Sequence, residues 1–204
     1  MKYIIHRGIT SKNNNDNSFI AVKKAILDKN SVGVEFDIRL TKDNKIVLSH
    51  NSILGLNYIE NMEYKDIIKY KYLTTLDKIL DINTNKILLI DIKINNNYKL
   101  FGDILLNKIN NCDRNIYLMS FNKKIIKYLS NKIKYKLGII SLIYRSNKYP
   151  LTILNYKTIS NKKLKKLKKK EIFLWTFDSI KEINNITNKI DDIESYYLIV
   201  NKND

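Results

Sequence analysis

Short apolar runs alternate with helix-like segments along nearly the whole chain, and this alternation restricts the possible folds more than any other feature. The most apolar run, KILLIDIK at 86–93, is continuous rather than alternating, which indicates a strand buried on both faces. Strands that alternate with helices form parallel sheets, either closed into a barrel or open and doubly wound. No glycine-rich phosphate loop follows the first run, as the open form would favour. The pattern therefore predicts an α/β fold, a small and somewhat irregular (β/α)8 TIM barrel.

The predicted elements fill the chain without a linker. With 204 residues, one Pro and five Gly, the sequence is long enough for one core and has no Pro-rich or Gly/Ser-rich boundary. We therefore predict a single domain over 1–204. The predicted strands are 3–5, 34–40, 45–49, 86–93, 115–119, 135–140, 152–155, 172–177 and 196–200. The predicted helices are 19–28, a short one near 62–70, then 75–81, 98–109, 123–131, 161–170 and 180–189.

A candidate cation site lies in the run at 33–51, GVEFDIRLTKDNKIVLSHN. Alternation in its first strand places Glu35, Asp37 and Arg39 on one face. Two carboxylates on one face converge on one point, and their joint burial requires a cation or a proton. Because oxygen ligands suit a hard divalent cation, the strand predicts a site for one Mg²⁺ or Ca²⁺ ion. The alternative is a solvated edge hairpin in which the two acids meet by chance.

The second strand of this run leads to His50. So few residues join the two strands that they most simply form an antiparallel hairpin. If residues 43–44 form a two-residue turn, His50 lies opposite Asp37, and if the loop is 41–44, it lies opposite Glu35. Both registers place the imidazole on the carboxylate face.

Other polar side chains fall at predicted strand ends, where (β/α)8 barrels carry their active sites. The strand-end set is His6, Glu35, Asp37, Asp91, Lys93, Ser120 and Trp175. Both histidines, three carboxylates and the cations Arg7 and Lys93 would then share one site. Such a set suits metal-assisted attack on a phosphodiester, because cations offset phosphoryl charge while one imidazole takes a proton and the other gives one.

These residues resemble the motifs of the glycerophosphodiester phosphodiesterase family, whose barrels open with a His-Arg-Gly strand end. The resemblance runs in order along nearly the whole chain, and its first two blocks with His50 are highly specific. The matching segments are His6-Arg7-Gly8, Glu35-Phe36-Asp37, Leu40-Thr41-Lys42-Asp43, Ile46-Val47-Leu48-Ser49-His50, Asp91-Ile92-Lys93, Ser120-Phe121-Asn122 and Trp175-Thr176.

The resemblance implies metal-dependent hydrolysis of glycerophosphodiesters to an alcohol and glycerol 3-phosphate. The implied metal ligands, for one divalent cation, are Glu35, Asp37 and Asp91. The implied acid–base pair is His6 and His50. The implied substrate-binding residues are Arg7, Lys93 and Trp175.

Several positions depart from the family pattern. The family's Pro-Glu-Asn appears as Asn15-Asp16-Asn17, Asn51 replaces the usual Asp after the histidine, and Thr-Asp appears as Val200-Asn201. The third implied ligand is Asp91 rather than Glu, which resembles the related spider-venom phospholipases D. The alternatives are therefore a lysophospholipase D- or sphingomyelinase D-like phosphodiesterase, or a non-catalytic barrel that binds polyanions. The presence of both histidines and all three acids favours an active enzyme.

The segment 51–75 bears on the size of the substrate. By resemblance, an insertion here covers the alcohol side of the substrate. Its apolar content in this chain is Leu54, Leu56, Tyr58 and Ile59. Because so short a cap offers little apolar surface for an acyl chain, we predict a small, water-soluble glycerophosphodiester as substrate.

The net charge of +17 favours contact with polyanions, although the A/T-rich codons of Lys, Asn, Ile and Tyr explain much of it. We predict no specific nucleic-acid partner. A lysine-rich helix, SNKKLKKLKKKE at 160–171, is expected outside the barrel, with Leu164 and Leu167 packed inward. The simpler interpretation is that this helix is solvated. The functional interpretation is that it docks weakly on an anionic membrane.

The cellular compartment is predicted from what the sequence lacks. Cys112 is the single cysteine, so no intrachain disulfide can form, as is usual in a reducing compartment. The N-terminus, MKYIIHRGIT, lacks the apolar core of a signal peptide. These two observations predict a cytoplasmic protein.

Overall fold

The fold is described from a computed structural model, which covers residues 1–94, 96–144, 146–158, 160, 167, 171–190 and 195–204. Its strands are β1 Tyr3–His6, β2 Ser31–Leu40, β3 Ile46–Leu48, β4 Ile53–Leu54, β5 Asn57–Tyr58, β6 Ile87–Ile92, β7 Ile116–Ser120, β8 Lys136–Ser141, β9 Leu151–Asn155, β10 Glu171–Phe177 and β11 Tyr196–Val200. Its α-helices are α1 Phe19–Leu27, α2 Tyr64–Ile67, α3 Leu76–Leu80, α4 Tyr98–Ile109, α5 Lys123–Leu129 and α6 Ile180–Ile190. Short 3-10 turns lie at Ile59–Asn61 and Tyr156–Thr158.

Within these residues, eight parallel strands close into a barrel in the order β1, β2, β6, β7, β8, β9, β10 and β11. The first strand closes it, because β1 pairs with β11 on one side and with β2 on the other. Helices lie between most consecutive strands, although none is described between β8 and β9, and the predicted (β/α)8 barrel is confirmed. Strand β3 pairs antiparallel with the end of β2, and β4 and β5 form a separate small hairpin.

Alternation along the strands separates two layers of core. The barrel interior contains Leu89, Tyr117, Ile153 and Phe173, with the Phe173 ring stacked on Tyr197 at a centroid distance of 4.5 Å. The outer layer packs the other strand faces against the helices, and Phe36 belongs to it. Because Glu35 and Asp37 have the opposite parity to Phe36, they face the barrel interior and are nearly fully buried. The solvated edge hairpin is thereby excluded.

The β2–β3 hairpin adopts neither predicted register. Ile38 pairs with Leu48 and Leu40 with Ile46, so the loop is 41–45, one residue longer than the longer alternative. The Thr41 hydroxyl accepts a hydrogen bond from the Lys45 N–H at 2.9 Å and thereby closes this loop. Continued pairing would set His50 opposite Phe36, on the wrong face. The strand ends at Leu48, however, and His50 reaches the site from the following bend.

The short helix predicted near 62–70 is the four-residue α2. Ahead of it, the segment after His50 also forms the β4–β5 hairpin and a 3-10 turn, which were not predicted. Its buried residues Leu54, Ile59 and Ile67 pack with Val47 into a cluster of their own. The segment therefore covers the outside of β3 rather than the barrel mouth.

The predicted lysine-rich helix falls largely outside the described residues. Of its two inward-facing leucines, Leu164 is not described and Leu167 is buried, as expected. No helix in the described part of the chain combines the length and apolar character needed to cross a bilayer.

Helix α1 begins close to the end of β1. The Ser18 hydroxyl accepts a hydrogen bond from the Ala21 N–H at 3.2 Å and thereby caps the start of this helix. Gly8 has a φ of 88°, and a Cβ there would lie 2.4 Å from the Ala21 carbonyl carbon. The chain can therefore turn from His6 into the segment that leads to α1 only with glycine at this position.

We expect Gly8→Ala to reduce the free energy of unfolding by more than about 1 kcal/mol, because alanine has the wrong φ and meets the α1 backbone. Urea unfolding followed by circular dichroism measures this loss. The control is Lys29→Ala, at an exposed site, for which we expect a change within about 0.5 kcal/mol. Equal stability of Gly8→Ala and the wild type would contradict the packing described here.

Candidate active site

A cleft of about 140 Å³ opens at the carboxyl ends of the barrel strands. Six of the seven predicted strand-end residues line it, together with Arg7 and His50. These six are His6, Glu35, Asp37, Asp91, Lys93 and Trp175. Ser120 does not line the cleft, because its neighbour Met119 faces the interior and alternation turns Ser120 away. Its hydroxyl instead donates a hydrogen bond to the Ile92 carbonyl oxygen at 2.6 Å.

Three carboxylates meet inside this cleft. Asp37 and Asp91 are direct partners in the β2–β6 register, and Glu35 lies two residues before Asp37 on the same strand. One oxygen from each of the three lies within 4.8 Å of the others, and all three residues are buried. Burial raises the pKa of Asp91 to about 6. Burial, followed by the negative charges of Asp37 and Asp91, raises the pKa of Glu35 well above its usual value.

Lys93 supplies part of the opposing charge. Its Nζ lies 2.6 Å from Asp91 Oδ2 and 3.1 Å from Asp37 Oδ1. Against the effect of burial, Lys93 and then Arg7 lower the pKa of Asp37. Asp91 Oδ1 is buried and has no hydrogen-bond partner among the described residues. A buried carboxylate oxygen without a partner, beside two further carboxylates, fits a hard divalent cation.

Arg7 lies at the turn after β1. Its φ of 55° bends the chain over the carboxylates. The backbone N–H donates to Glu35 Oε2 at 3.2 Å, and Nε lies 3.1 Å from Asp37 Oδ2. Nη1 donates to Asp16 Oδ2, also at 3.2 Å. Asp16, the shorter acid of the Asn15-Asp16-Asn17 segment, therefore still reaches Arg7.

Asn17 orients Asp37 from the opposite side. Its Nδ2 donates to Asp37 Oδ2, and its Oδ1 accepts the Asp37 backbone N–H, both at 2.9 Å. Asn17 is buried and has a φ of 55°, a conformation that asparagine adopts more readily than most residues. Asn17 belongs to the Asn15-Asp16-Asn17 segment, which stands where the family has Pro-Glu-Asn. Its contact with Asp37 was not predicted.

His6 is held by the last strand of the barrel. Its Nδ1 lies 2.6 Å from Asn201 Oδ1, and the Asn201 Nδ2 donates to Asp178 Oδ1 at 2.5 Å. A carboxylate can only accept a hydrogen bond, so Asp178 fixes the amide of Asn201 with its oxygen toward His6. The Asn201 oxygen in turn keeps the proton of the imidazole on Nδ1. The Nε2 atom, free to accept a proton, lies 3.8 Å from Glu35 Oε2. Burial, followed by the charge of Arg7, lowers the pKa of His6.

His50 is positioned by hydrogen bonds to its backbone carbonyl oxygen. The Arg39 guanidinium donates to the His50 carbonyl oxygen through Nη2 at 2.7 Å and through Nε at 3.2 Å. The imidazole is more exposed than that of His6, and its Nδ1 lies 3.2 Å from Asn51 Oδ1. Burial lowers the pKa of His50 as well. Arg39, predicted on the carboxylate face, thus acts by positioning His50.

The other half of the cleft is largely apolar. Trp175 meets Phe121 edge to face at a centroid distance of 6.1 Å. The indole Nε1 of Trp175 is buried without a hydrogen-bond partner among the described residues, so it remains a free donor. The remaining wall residues are Met119, Ile140, Ile153, Thr176 and Ile199. Sequence reasoning missed these residues, although their strand-end positions were the available signal.

Known proteins of one family are similar to this chain in sequence and in fold. A curated glycerophosphodiester phosphodiesterase from Caldanaerobacter subterraneus is 26% identical over 166 residues, which cover 67% of this chain and 68% of the relative. The crystal structure of a glycerophosphodiester phosphodiesterase from Thermotoga maritima superposes with a TM-score of 0.75 at 23% identity. It covers 98% of this chain and 95% of that one.

A further solved structure is an Oleispira antarctica phosphodiesterase in complex with the product sn-glycerol-3-phosphate. It has a TM-score of 0.83 at 14% identity and covers 98% of this chain and 92% of that one. At such identities the two structures establish the fold. The family model for glycerophosphoryl diester phosphodiesterases matches residues 6–195, which include every cleft residue described above except Ile199. The chain therefore belongs to the glycerophosphoryl diester phosphodiesterase family.

Proposed function

We propose that the protein hydrolyses glycerophosphodiesters to an alcohol and glycerol 3-phosphate, with one bound divalent cation and with His6 and His50 as proton-transfer groups. The main support for this proposal is that two imidazoles, three buried carboxylates and two cationic side chains, Arg7 and Lys93, lie in one cleft. Family membership supports the reaction class. A barrel that only bound polyanions would not need buried acids at its centre, so the non-catalytic alternative is disfavoured.

Glu35, Asp37 and Asp91 would hold the cation. Their oxygens suit Mg²⁺ or Ca²⁺, and Zn²⁺ is disfavoured because the cleft contains no cysteine and its two histidines lie outside the acid cluster. When bound, such an ion would polarise a phosphoryl oxygen and offset its negative charge.

Arg7 and Lys93 would contact the phosphate. Both already face the carboxylates, so a phosphoryl group between them would meet positive charge on two sides. Trp175 would contact the substrate from the apolar side of the cleft.

The two histidines would move the protons of the reaction. One imidazole takes a proton from the attacking hydroxyl or water as the new P–O bond forms. The other gives a proton to the leaving alcohol oxygen as the old P–O bond breaks. The neutral His6 tautomer, with Nε2 unprotonated, suits it for the first task.

A hydrolysis assay tests this function directly. We expect the protein to release glycerol 3-phosphate and choline from glycerophosphocholine, to lose this activity with EDTA, and to regain it with Mg²⁺ or Ca²⁺. Full activity after complete chelation would contradict the cation's role, and no hydrolysis with either ion would contradict the proposed function.

The substrate we propose is a small, water-soluble diester. The segment 51–75 provides no residue of the cleft wall, so it does not act as the expected cap. The small size of the cleft, about 140 Å³, is the better argument, because a long acyl chain cannot be enclosed in it. The apolar wall favours a lysophospholipid as the second candidate.

Competition between glycerophosphocholine and lysophosphatidylcholine separates these two substrates. We expect kcat/KM to be higher for glycerophosphocholine. The measurement should use lysophosphatidylcholine below its micelle concentration, so that both substrates are free in solution. A clearly higher kcat/KM for the lipid would mean that the substrate proposal is wrong.

A further inference from the structure

The loops and first helical turns that follow the carboxyl ends of the barrel strands carry several exposed apolar side chains. They are between 42% and 76% exposed and follow β6, β7, β8 and β10, so they surround one side of the mouth. We call these five residues the apolar rim: Leu100, Phe121, Leu142, Ile143 and Ile180. At the amino ends of the strands, Met1 and Leu27 have similar exposure. The other exposed large apolar residues of the described chain are Ile20 in α1 and, in the segment 51–75, Ile53, Leu56, Tyr58, Ile68 and Tyr72. Exposed apolar surface concentrated at one end marks an interaction site.

The apolar rim continues the apolar half of the cleft. Phe121 belongs to both, because it is half exposed and also lines the cleft beside Trp175. Leu142 begins the loop after β8, and its carbonyl oxygen accepts a hydrogen bond from the Thr158 hydroxyl of the loop after β9. Neighbouring loops are thus joined, and they form one surface beside the mouth.

Positive charge surrounds this apolar surface. Lys99, Lys123, Lys124 and Lys181 are exposed and lie within three residues of a rim residue. Three carboxylates of the described residues lie within three positions of a rim residue, and all three have partners. Asp103 accepts a hydrogen bond from the Tyr128 hydroxyl at 2.6 Å. Asp178 accepts from Asn201, and Glu182 lies 3.6 Å from the Lys157 Nζ.

We propose that the apolar rim and these four lysines dock on an anionic lipid surface, with the cleft opening toward it. Apolar side chains between lysines suit such a surface, because the former enter the acyl boundary while the latter meet anionic headgroups. A second copy of the chain fits less well, since two such faces would bring their lysines together on molecules of net charge +17. The proposal concerns where the protein binds and does not depend on the diester that it cleaves.

Vesicle sedimentation tests the proposal without an activity measurement. The vesicles contain phosphatidylcholine with about one third phosphatidylglycerol, and pure phosphatidylcholine vesicles serve for comparison. We expect the wild type to bind the anionic vesicles in a salt-sensitive manner. The double variant Leu142→Ser/Ile143→Ser should bind about tenfold more weakly, because two apolar contacts are lost. Leu27→Ser, at the opposite end of the barrel, is the matched control and should bind as the wild type does.

A charge variant provides an independent test. Lys123→Gln/Lys124→Gln should weaken binding to anionic vesicles by about tenfold or more, whereas the exposed Lys29→Gln should have little effect. Thermal melts and glycerophosphocholine turnover in buffer should be unchanged for the Leu142/Ile143 double variant, since neither residue lines the cleft.

Three results would overturn the proposal. The first is an absence of wild-type binding to anionic vesicles, and the second is equal binding by both double variants and the wild type. The third is a concentration-dependent dimer in light scattering that Leu142→Ser/Ile143→Ser abolishes, because the apolar rim would then be a self-interface.

Discussion

Replacement of either histidine with alanine is expected to lower kcat for glycerophosphocholine by about 10²–10⁴, the usual contribution of a positioned proton-transfer group. His6 is held through Nδ1 by Asn201, and His50 through its carbonyl oxygen by Arg39. Each imidazole is thus fixed by a separate support, and the loss of one leaves the other in place. The measurement is kcat and KM for His6→Ala and His50→Ala under saturating divalent cation.

Calorimetric titration with Mg²⁺ or Ca²⁺ is the control for these variants. Neither histidine belongs to the acid cluster, so both variants should bind the cation nearly as well as the wild type. A loss of turnover with cation binding retained would assign the defect to proton transfer. Turnover within about twofold of the wild type for either variant would refute its catalytic role.

The second large effect is expected from the acid cluster. Asp37 is buried between Lys93, Arg7 and Asn17 and directly opposite Asp91. Asp37→Asn keeps the shape of the side chain but removes one negative charge from the proposed ligand set. We expect calorimetry to show at least about tenfold weaker divalent cation binding. Asp113→Asn, at an exposed acid outside the cleft, is the matched control and should bind normally.

The same cluster predicts how pH affects the stabilising effect of the cation. Burial raises the pKa of Asp91 to about 6, above its unfolded value, so the cation-free protein is most stable when Asp91 is protonated. That stability is lost as pH rises through about 6, because a buried carboxylate then carries its charge. A bound cation offsets this charge. We therefore expect saturating Mg²⁺ or Ca²⁺ to raise Tm more at pH about 7.5 than at pH about 5. An equal increase at both pH values would contradict this coupling.

Most of the fold could be predicted from the local periodicity of apolar residues. Helix α4 and strand β11 have the predicted bounds, because each is one periodic segment between polar residues. The β2–β3 register was wrong, since it depends on side-chain hydrogen bonds within the loop at Thr41 and on the left-handed Asn44. Periodicity does not record such contacts.

The candidate site was predictable where a residue lies at a strand end and contributes chemistry itself. Asp37 and Asp91 illustrate this, because parallel pairing of β2 with β6 brings them together. The supporting residues were harder to predict. Asn17 and Asp178 act through hydrogen bonds to residues 20 and 23 positions away in sequence, respectively. Only the folded chain brings such pairs together.

The hydrogen bond between His6 and Asn201 joins residues that are 195 positions apart, and it also has a consequence for protein synthesis. Strand β1 closes the barrel against β11, so the first barrel strand to be synthesised must pair with the last one. Every cleft residue from His6 to Trp175 is translated before this partner of the imidazole exists. A nascent chain that stops short of Asn201 therefore lacks the group that fixes the His6 tautomer. We expect no intermediate of translation that stops short of Asn201 to hydrolyse diesters.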